Sequence, residues 1–464
     1  LEECLMDRFT RVPVREQDPN KRNKNFEEVC YGYNHEEAVQ EAKRCLNCKS
    51  PQCVKGCPVS VNIPAFVHEI AEDNPKGAAM ELSKHTALPA VCGRVCPQES
   101  QCEKYCVLAN KGDAVSIGKL ERYAADYARE NNIQTIQPEP SNGHKVAVVG
   151  AGPAGITVAG ELLKKGYDVT VFESLQQPGG VLVYGIPQFR LPDTVVASEV
   201  DKLKDLGVKF ETNTIVGRTM SLEAIRDEGY EAIFLGTGAG LPRFMDIPGE
   251  NFNGVFSANE FLTRTNLMHA YEAGYDTPII AGRKTAVIGG GNVAMDAARV
   301  AKRLGADVTV VYRRTEAELP ARAEEVHHAK EEGIEFHFLT SPVEIHADED
   351  GWVTTMTLRP MELGEPDESG RRRPVPKEGE DFDVEVDTVI MALGTNPNPL
   401  ITGTNPDIET NKKQGIIITE EGQSSVEDVF AGGDAVTGAA TVILAMGAGK
   451  HAAEGIDKYI KSKN

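Results

Sequence analysis

The sequence predicts an α/β protein: a helical, sulfur-rich head followed by two doubly wound parallel sheets, one set inside the other. Three observations carry that expectation. A strand–glycine turn–helix–strand unit occurs twice, at 145–174 and 284–314, and such units build parallel sheets with helices on both faces. Ahead of them, residues 35–130 place apolar residues at helical spacing, broken by Pro and Gly. All ten cysteines lie at or before Cys106, and the remaining 358 residues contain none.

The elements follow in order. "HEEAVQEAKRC", "IPAFVHEIAEDNPKGAAMELSKHT" and "IGKLERYAADYARE" read as amphipathic helices of the head. "NNIQTIQPEPSNGHK" is a polar, proline-bearing linker. "KVAVVGAGPAGITVAGELLKKGYDVTVFES" is the first βαβ unit and "KTAVIGGGNVAMDAARVAKRLGADVTVVYRR" the second. The stretch 175–275 does not read as a domain of its own. "GRRRPVPKEGEDF" at 370–382 reads as a solvated hairpin or loop, and "VFAGGDAVTGAATVILAMGAGKHAAEGI" as a strand and a long apolar helix. The expected division is 1–140 for the head, 141–270 with 386–464 for one dinucleotide domain, and 271–385 for the other.

Composition narrows the function. The chain of 464 residues is too long for one core. A net charge of −21 excludes a nucleic-acid partner, whose phosphates would be repelled. No apolar run reaches the roughly eighteen residues that span a bilayer, so no membrane partner is expected. No secretory signal is visible and a cytoplasmic protein is expected. Residues 1–60 hold ten Lys/Arg and ten Asp/Glu, so the head is neutral at its start in an otherwise acidic chain, which suits an acidic partner.

Each glycine loop follows an apolar strand and opens a helix, the context that makes a Rossmann-like fingerprint specific. Gly150, Gly152 and Gly155 permit the tight turn, the approach of a pyrophosphate and close helix–strand packing. Free N–H groups at the helix start favour phosphate. Glu173, twenty-three residues after Gly150, suits ribose hydroxyls. In the second copy, Gly289, Gly291, Asn292 and Ala294 form the loop, and the same count lands on Tyr312, followed by Arg313 and Arg314. Paired guanidiniums bind a 2′-phosphate that a carboxylate would repel, so this site should prefer NADP(H). Arg322, in "ELPARAEE", is within reach of the same phosphate. Two such units suggest FAD in one and a nicotinamide cofactor in the other. Gly433 and Asp434 at the "VFAGGDA" strand end suit the flavin's ribityl and pyrophosphate, with Gly180 and Thr441 as further contacts.

A flavoprotein can pass electrons to a CxxC pair near its flavin, but none exists after Cys106, so the head is the electron sink. Both zinc and iron–sulfur clusters accept its eight clustered thiols. The run C-x2-C-x4-C-x3-C-P, the repeated Cys-Pro at Cys96 and the flavin neighbour favour 4Fe–4S clusters, with ligands shared between the two sets. Cys4 and Cys30 read as ordinary thiols.

"CLNCKSPQCVKGCPV", "LPAVCGRVCPQESQCEKYC", "AVSIGKLERY", "GGVLVYGIPQFRLP" and the two glycine loops together resemble the glutamate synthase small (beta) subunit family, over residues 35–460. The same module resembles the N-terminal half of dihydropyrimidine dehydrogenase and, in texture most of all, the large subunit of NADH-dependent reduced ferredoxin:NADP oxidoreductase, an electron-bifurcating transhydrogenase. The resemblance implies a helical iron–sulfur domain and an FAD domain with an inserted NADP domain. It implies one 4Fe–4S cluster on Cys45, Cys48, Cys53 and Cys106. A second would lie on Cys57, Cys96, Cys102 and Glu121, with Cys92 spare. It places Arg190 near the flavin's reactive edge. Implied partners are ferredoxin and a smaller flavoprotein with FAD and a 2Fe–2S centre, or alternatively a glutamate synthase large subunit.

Overall fold

The computed structural model describes residues 7–366 and 372–463. Cys4, and residues 370 and 371 of the basic run, lie outside the described residues. The head contains helices α1 (His35–Ala42), α2 (Ile63–Ala71), α3 (Pro75–Ser83), α4 (Pro89–Val95) and α5 (Ile117–Glu130). Each begins where the sequence supplies a stop and a start. Asn34 caps α1 with a reciprocal bond to Glu37, and Pro occupies the first turns of α2, α3 and α4. Most of the cysteines lie in the short segments between these helices, Cys53 on a single helical turn (Gln52–Lys55), while Cys92 lies within α4.

The first sheet takes β1 (Lys145–Val149), β2 (Asp168–Phe172), β3 (Lys209–Glu211), β4 (Ala232–Leu235) and a last strand at Val429–Ala431. Its order is last strand–β4–β1–β2–β3, all parallel. Helix α6 (Pro153–Lys164) leaves β1 through the first glycine loop, and the helix Val442–Ser462 returns across it. Gly449 makes that crossing close, since a Cβ there would lie 2.5 Å from the Ala154 carbonyl oxygen.

The second sheet contains β5 (Val255–Ser257), β6 (Lys284–Ile288), β7 (Asp307–Tyr312), β8 (Glu335–Phe338) and β9 (Thr388–Met391). Its order is β8–β7–β6–β9–β5, again all parallel. The expected bounds 271–385 therefore need correction at both ends. β9 follows 385 yet pairs with β6 on one side and β5 on the other, so this domain runs from about 255 to 391. The physical reason is non-local pairing: two short apolar strands 130 residues apart close the sheet, and neither carries a glycine loop. An antiparallel sheet spanning 340–385 is laid against it, so the basic run at 370–382 enters paired strands at Arg372–Pro376 and Phe382–Glu385.

The head and the first dinucleotide domain share one core. Phe66, Leu88, Leu120, Val148, Ile156 and Met446 belong to the same buried cluster. The start of the chain does something else. Val29 is buried in the core of the second domain, and Phe26 stacks on Tyr271 with centroids 3.8 Å apart. Residues before about 34 thus strap the inserted domain to the head.

Candidate cofactor sites

The first glycine loop is shaped by sterics. Gly150 has φ +100°, and a Cβ on Gly155 would sit 1.9 Å from the Gly150 carbonyl oxygen. Gly152, at the start of α6, has open space where a Cβ would go. Gly180 (φ +55°) approaches it, a Cβ there lying 2.9 Å from Gly152 Cα, and Gly433 (φ +67°) packs on Ala154. Three distant segments therefore converge on one cradle. Glu173 is buried at the end of β2. Its Oε2 accepts the Ala151 N–H at 2.7 Å and its Oε1 the Leu175 N–H at 2.9 Å, so it braces the loop. Burial pushes Asp434 up to about 6, opposed by the Ala440 N–H at 3.3 Å. Thr441 caps the long helix, accepting from Leu444 N–H at 3.4 Å. An adenine dinucleotide's pyrophosphate fits the open face at Gly152, backed by the free N–H groups of α6.

The second loop opens α7 (Asn292–Arg303). Gly289 (φ +140°) passes close to the Ala392 carbonyl oxygen, where a Cβ would lie 2.3 Å away, and Gly291 faces open space. Ala294 is buried, and the Asn292 side chain accepts the Arg322 N–H at 2.9 Å. Gly290 is an addition to the sequence reading. A Cβ there would collide with the Tyr312 ring at 2.7 Å, so the tyrosine in the acid's place closes the loop.

The two arginines after it differ. Arg313 is exposed, whereas Arg314 is buried with an Nε that has no hydrogen-bond partner. An orphaned buried guanidinium N–H is costly unless an anion completes it, and a 2′-phosphate fits that need. Arg322 is a correction. Its donors are spent on Gln98 Oε1 (3.0 Å) and the Arg94 carbonyl (3.1 Å), which tie this domain to the head, and on the neighbouring Glu324 (2.7 Å). Its Nε also faces Glu99 at 3.4 Å, so four of the five guanidinium N–H groups are used away from the phosphate.

Arg190 lies at the seam between the dinucleotide domains. Its Nη1 donates to both carboxylate oxygens of Asp296 (2.8 and 2.7 Å) on α7, and its Nε is 2.9 Å from Glu325. Beside it, Arg299 (2.8 Å), Arg303 (2.6 Å) and Arg22 (3.0 Å) surround Glu332, and both Arg299 and Arg303 lie over the Phe189 ring. Burial opposes ionisation of Glu332, yet Arg299 and Arg303 hold its carboxyl down to about 2. This seam joins residues up to 310 positions apart and has no local sequence signal.

The thiols of the head fall into two groups. Cys45, Cys48, Cys53 and Cys106 line one cavity with Ile63, Pro64 and Ile117. Burial, reinforced by the neighbouring Cys45 and Cys106, pushes Cys53 up to about 11. Deeper in, Cys57, Cys96, Cys102 and Glu121 influence one another electrostatically. Glu121 is buried on α5, pushed up to about 8 by burial, and no described residue bonds to its carboxylate. Gly93, also absent from the sequence reading, allows this convergence: a Cβ there would lie 2.5 Å from Arg122 N, so α4 and α5 meet backbone to backbone. Cys92 is fully buried beside the inner group, with its side chain against Cys96 and its Sγ 3.5 Å from Met446 Sδ on the long C-terminal helix.

A single tetrahedral zinc with Zn–S of about 2.3 Å brings its sulfurs within roughly 3.8 Å of each other. Among the described residues, no three thiols lie within 4.8 Å of one another, so neither set is gathered as tightly as one tetrahedral zinc requires. One trio is that close, Glu16, Glu324 and His328. It is crossed by Lys119 at 2.8 Å from Glu324 and Arg22 at 3.5 Å from Glu16, cations that already neutralise it.

Fold and sites together define an NAD(P)H-dependent oxidoreductase with a 4Fe–4S head. Comparison with known proteins agrees. Residues 22–133 match the family model "dihydropyrimidine dehydrogenase domain II, 4Fe-4S cluster", and residues 144–449 match "pyridine nucleotide-disulphide oxidoreductase". The chain is 36% identical to the glutamate synthase [NADPH] small chain of Escherichia coli, covering 97% of this chain and 98% of that one. It is 38% identical to the putative oxidoreductase AegA of the same organism, over 96% of this chain and 69% of AegA. The chain belongs to the glutamate synthase small-subunit family of pyridine nucleotide-disulphide oxidoreductases. Its fold is shared with FprA of Mycobacterium tuberculosis, solved in complex with NADPH, at a TM-score of 0.57 and 20% identity over 70% of this chain and 85% of that one. No helix among the described residues is long and apolar enough to cross a membrane.

Proposed function

We propose that the chain exchanges hydride between NADP(H) and FAD and passes single electrons through two 4Fe–4S clusters to ferredoxin. In this reading it is the large subunit of a bifurcating NADH-dependent ferredoxin:NADP oxidoreductase, whose smaller partner carries FAD and a 2Fe–2S centre. When bound, the flavin interconverts paired and single electrons, and the clusters carry the single ones. The observation that carries the reading is the placement of the inner sulfur site. Pro58, next to Cys57, packs against Gly447 of the C-terminal helix, where a Cβ would lie 3.1 Å from its carbonyl. That same helix begins at Thr441, behind Gly433 and Asp434 of the flavin cradle.

The chain's own residues have separable tasks. Gly150, Gly152, Gly155, Gly180 and Gly433 clear space for the flavin nucleotide, and Glu173 orients it. Gly289, Gly291, Asn292 and Ala294 shape the NADP(H) loop, with Arg314 as the chief phosphate donor and Arg313 assisting. Arg190 joins the two, since it pairs with Asp296 one turn into the helix that the second loop opens. Cys45, Cys48, Cys53 and Cys106 would hold the outer cluster, and Cys57, Cys96, Cys102 with Glu121 the inner one. A carboxylate ligand is harder than thiolate and tunes that cluster's potential.

A second reading is favoured by the end-to-end match to a glutamate synthase small chain, in which case electrons pass to a large subunit making glutamate. The test is anaerobic ferredoxin reduction by NADPH in the complex purified with its natural partner. Reduction that appears only with NAD+ present is the expected result. No reduction in either condition, with flavin and clusters intact, overturns the bifurcating reading in favour of glutamate synthase, and glutamine with 2-oxoglutarate is then the sink to supply.

A further inference from the structure

The outer sulfur site differs from the rest of the surface in charge. The chain carries 70 Asp and Glu, yet positions 42–58 and 104–112, which supply all four of its cysteines, contain none. They contain five exposed lysines, Lys43, Lys49, Lys55, Lys104 and Lys111. No described residue pairs with any of the five. The acids that flank these segments are spent on other contacts. Glu41 is buried against Arg44, Glu103 pairs with Arg11 at 3.5 Å, and Asp113 accepts the Arg11 N–H at 3.1 Å.

The fold gathers these separate stretches. Gly56 lies against the Tyr105 ring, where a Cβ would sit 2.4 Å away, and so sets the segment of Lys55 beside that of Lys104. Arg44 donates to the Asp113 carbonyl at 2.6 Å, which brings the segment of Lys43 to the turn after Lys111. Lys49 adjoins Cys48. Inside this ring lie three exposed apolar side chains, Leu46, Tyr105 and Val107, and all three also line the cavity of Cys45, Cys48, Cys53 and Cys106. An apolar centre rimmed by unpaired charge of one sign is the anatomy of a transient docking face.

We propose that this face, the lysine ring around Leu46, Tyr105 and Val107, is the docking surface for an acidic one-electron carrier protein at the outer sulfur site. The proposal rests on the reading of the head as the electron-exchange end. The argument for the occupant is charge complementarity: a carrier of negative charge is repelled by a −21 chain as a whole and attracted by this ring. The ring steers its approach, and the apolar centre excludes water over the cavity once it has docked.

The test runs the exchange in the downhill direction on the complex purified with its natural partner, with clusters and flavins in place. Two molecules of reduced acidic 4Fe–4S ferredoxin, one NADH, one proton and two NADP+ give two oxidised ferredoxins, one NAD+ and two NADPH. Reduced methyl viologen, a small cation with no need of a docking face, is the parallel donor. The variant K49E/K55E/K104E is compared with K412E/K413E, reversals on an exposed turn remote in sequence from the head. The expected result is a fall in kcat/KM for ferredoxin of about tenfold or more in the first variant, with methyl viologen turnover unchanged. The second variant should match the wild type. Wild-type ferredoxin turnover should also fall as salt rises, and that slope should flatten in the first variant. Equal ferredoxin turnover in wild type and triple variant, or no ferredoxin turnover with methyl viologen still active, overturns the docking proposal alone. Failure of methyl viologen to reduce NADP+ in the wild type overturns the electron-transfer reading and the proposal with it.

Discussion

The two glycine loops are the same device set to different tolerances. Both leave a parallel strand with a left-handed glycine, both open a helix and both keep one glycine facing empty space, Gly152 in the first and Gly291 in the second. They differ at two positions. The third small residue is Gly155 in the first loop, with no room for a methyl group, and Ala294 in the second, where a methyl group is already packed. At the end of the following strand the first has Glu173, bonded to its own loop, while the second has Tyr312 and then two arginines. One scaffold thus becomes two sites by changing how closely helix meets strand and which charge meets the ribose.

The largest effect should come from the tighter loop. Gly155→Ala places a methyl carbon 1.9 Å from the Gly150 carbonyl oxygen, and neither backbone segment can yield without losing the strand–helix contact. The expected outcome is protein purified almost free of flavin, read as loss of visible flavin absorbance per chain. Ala294→Gly, the reciprocal change, should leave NADPH binding within about twofold, since it removes a methyl without moving the loop. Equal flavin content in Gly155→Ala and wild type would break the contrast in packing.

The contrast in charge is tested by Arg314→Ala. A buried guanidinium bonding to phosphate contributes about 1.5–3 kcal/mol, so KM for NADPH should rise roughly 10- to 100-fold, with KM for NADH nearly unchanged. Arg313→Ala should raise it only about two- to threefold and less at high salt, because the side chain is exposed and its attraction is screened. Steady-state kinetics with both nucleotides checks the pair. Equal effects at the two positions would remove burial as the deciding factor.

What the sequence allowed to be read follows the range of the interaction. The loops, Glu173 and the helix starts were legible because each depends on residues within one βαβ unit. The sheet bounds were not, because β9 pairs with β5 on one side and with β6 on the other from far apart in the chain, and neither β5 nor β9 carries a motif. Gly93 and Gly290 were invisible for a related reason: a glycine needed for one close contact, with Arg122 or with Tyr312, looks in sequence like any other. The division of thiols into outer and inner groups crosses the sequence order at Cys57 and Cys106, so spacing left it open and only family resemblance implied it. The seam of Arg22, Arg299, Arg303 and Glu332 is a product of domain packing and has no periodicity to detect.

Arg322 shows that limit most clearly and supplies the smallest expected change in nucleotide handling. Its charge and its position eight residues after Arg314 both suggest phosphate binding. The fold instead turns the side chain toward the head, where Gln98 and the Arg94 carbonyl use its donors, while Glu324 pairs with it from its own domain. Arg322→Ala should therefore leave KM for NADPH within about twofold while lowering stability by roughly 3 kcal/mol, the cost of stranding buried partners. Denaturant unfolding and NADPH kinetics on the same preparation separate the two roles. A rise in KM comparable to that of Arg314→Ala, without loss of stability, would return Arg322 to the phosphate site and leave the second domain without this tie to the head.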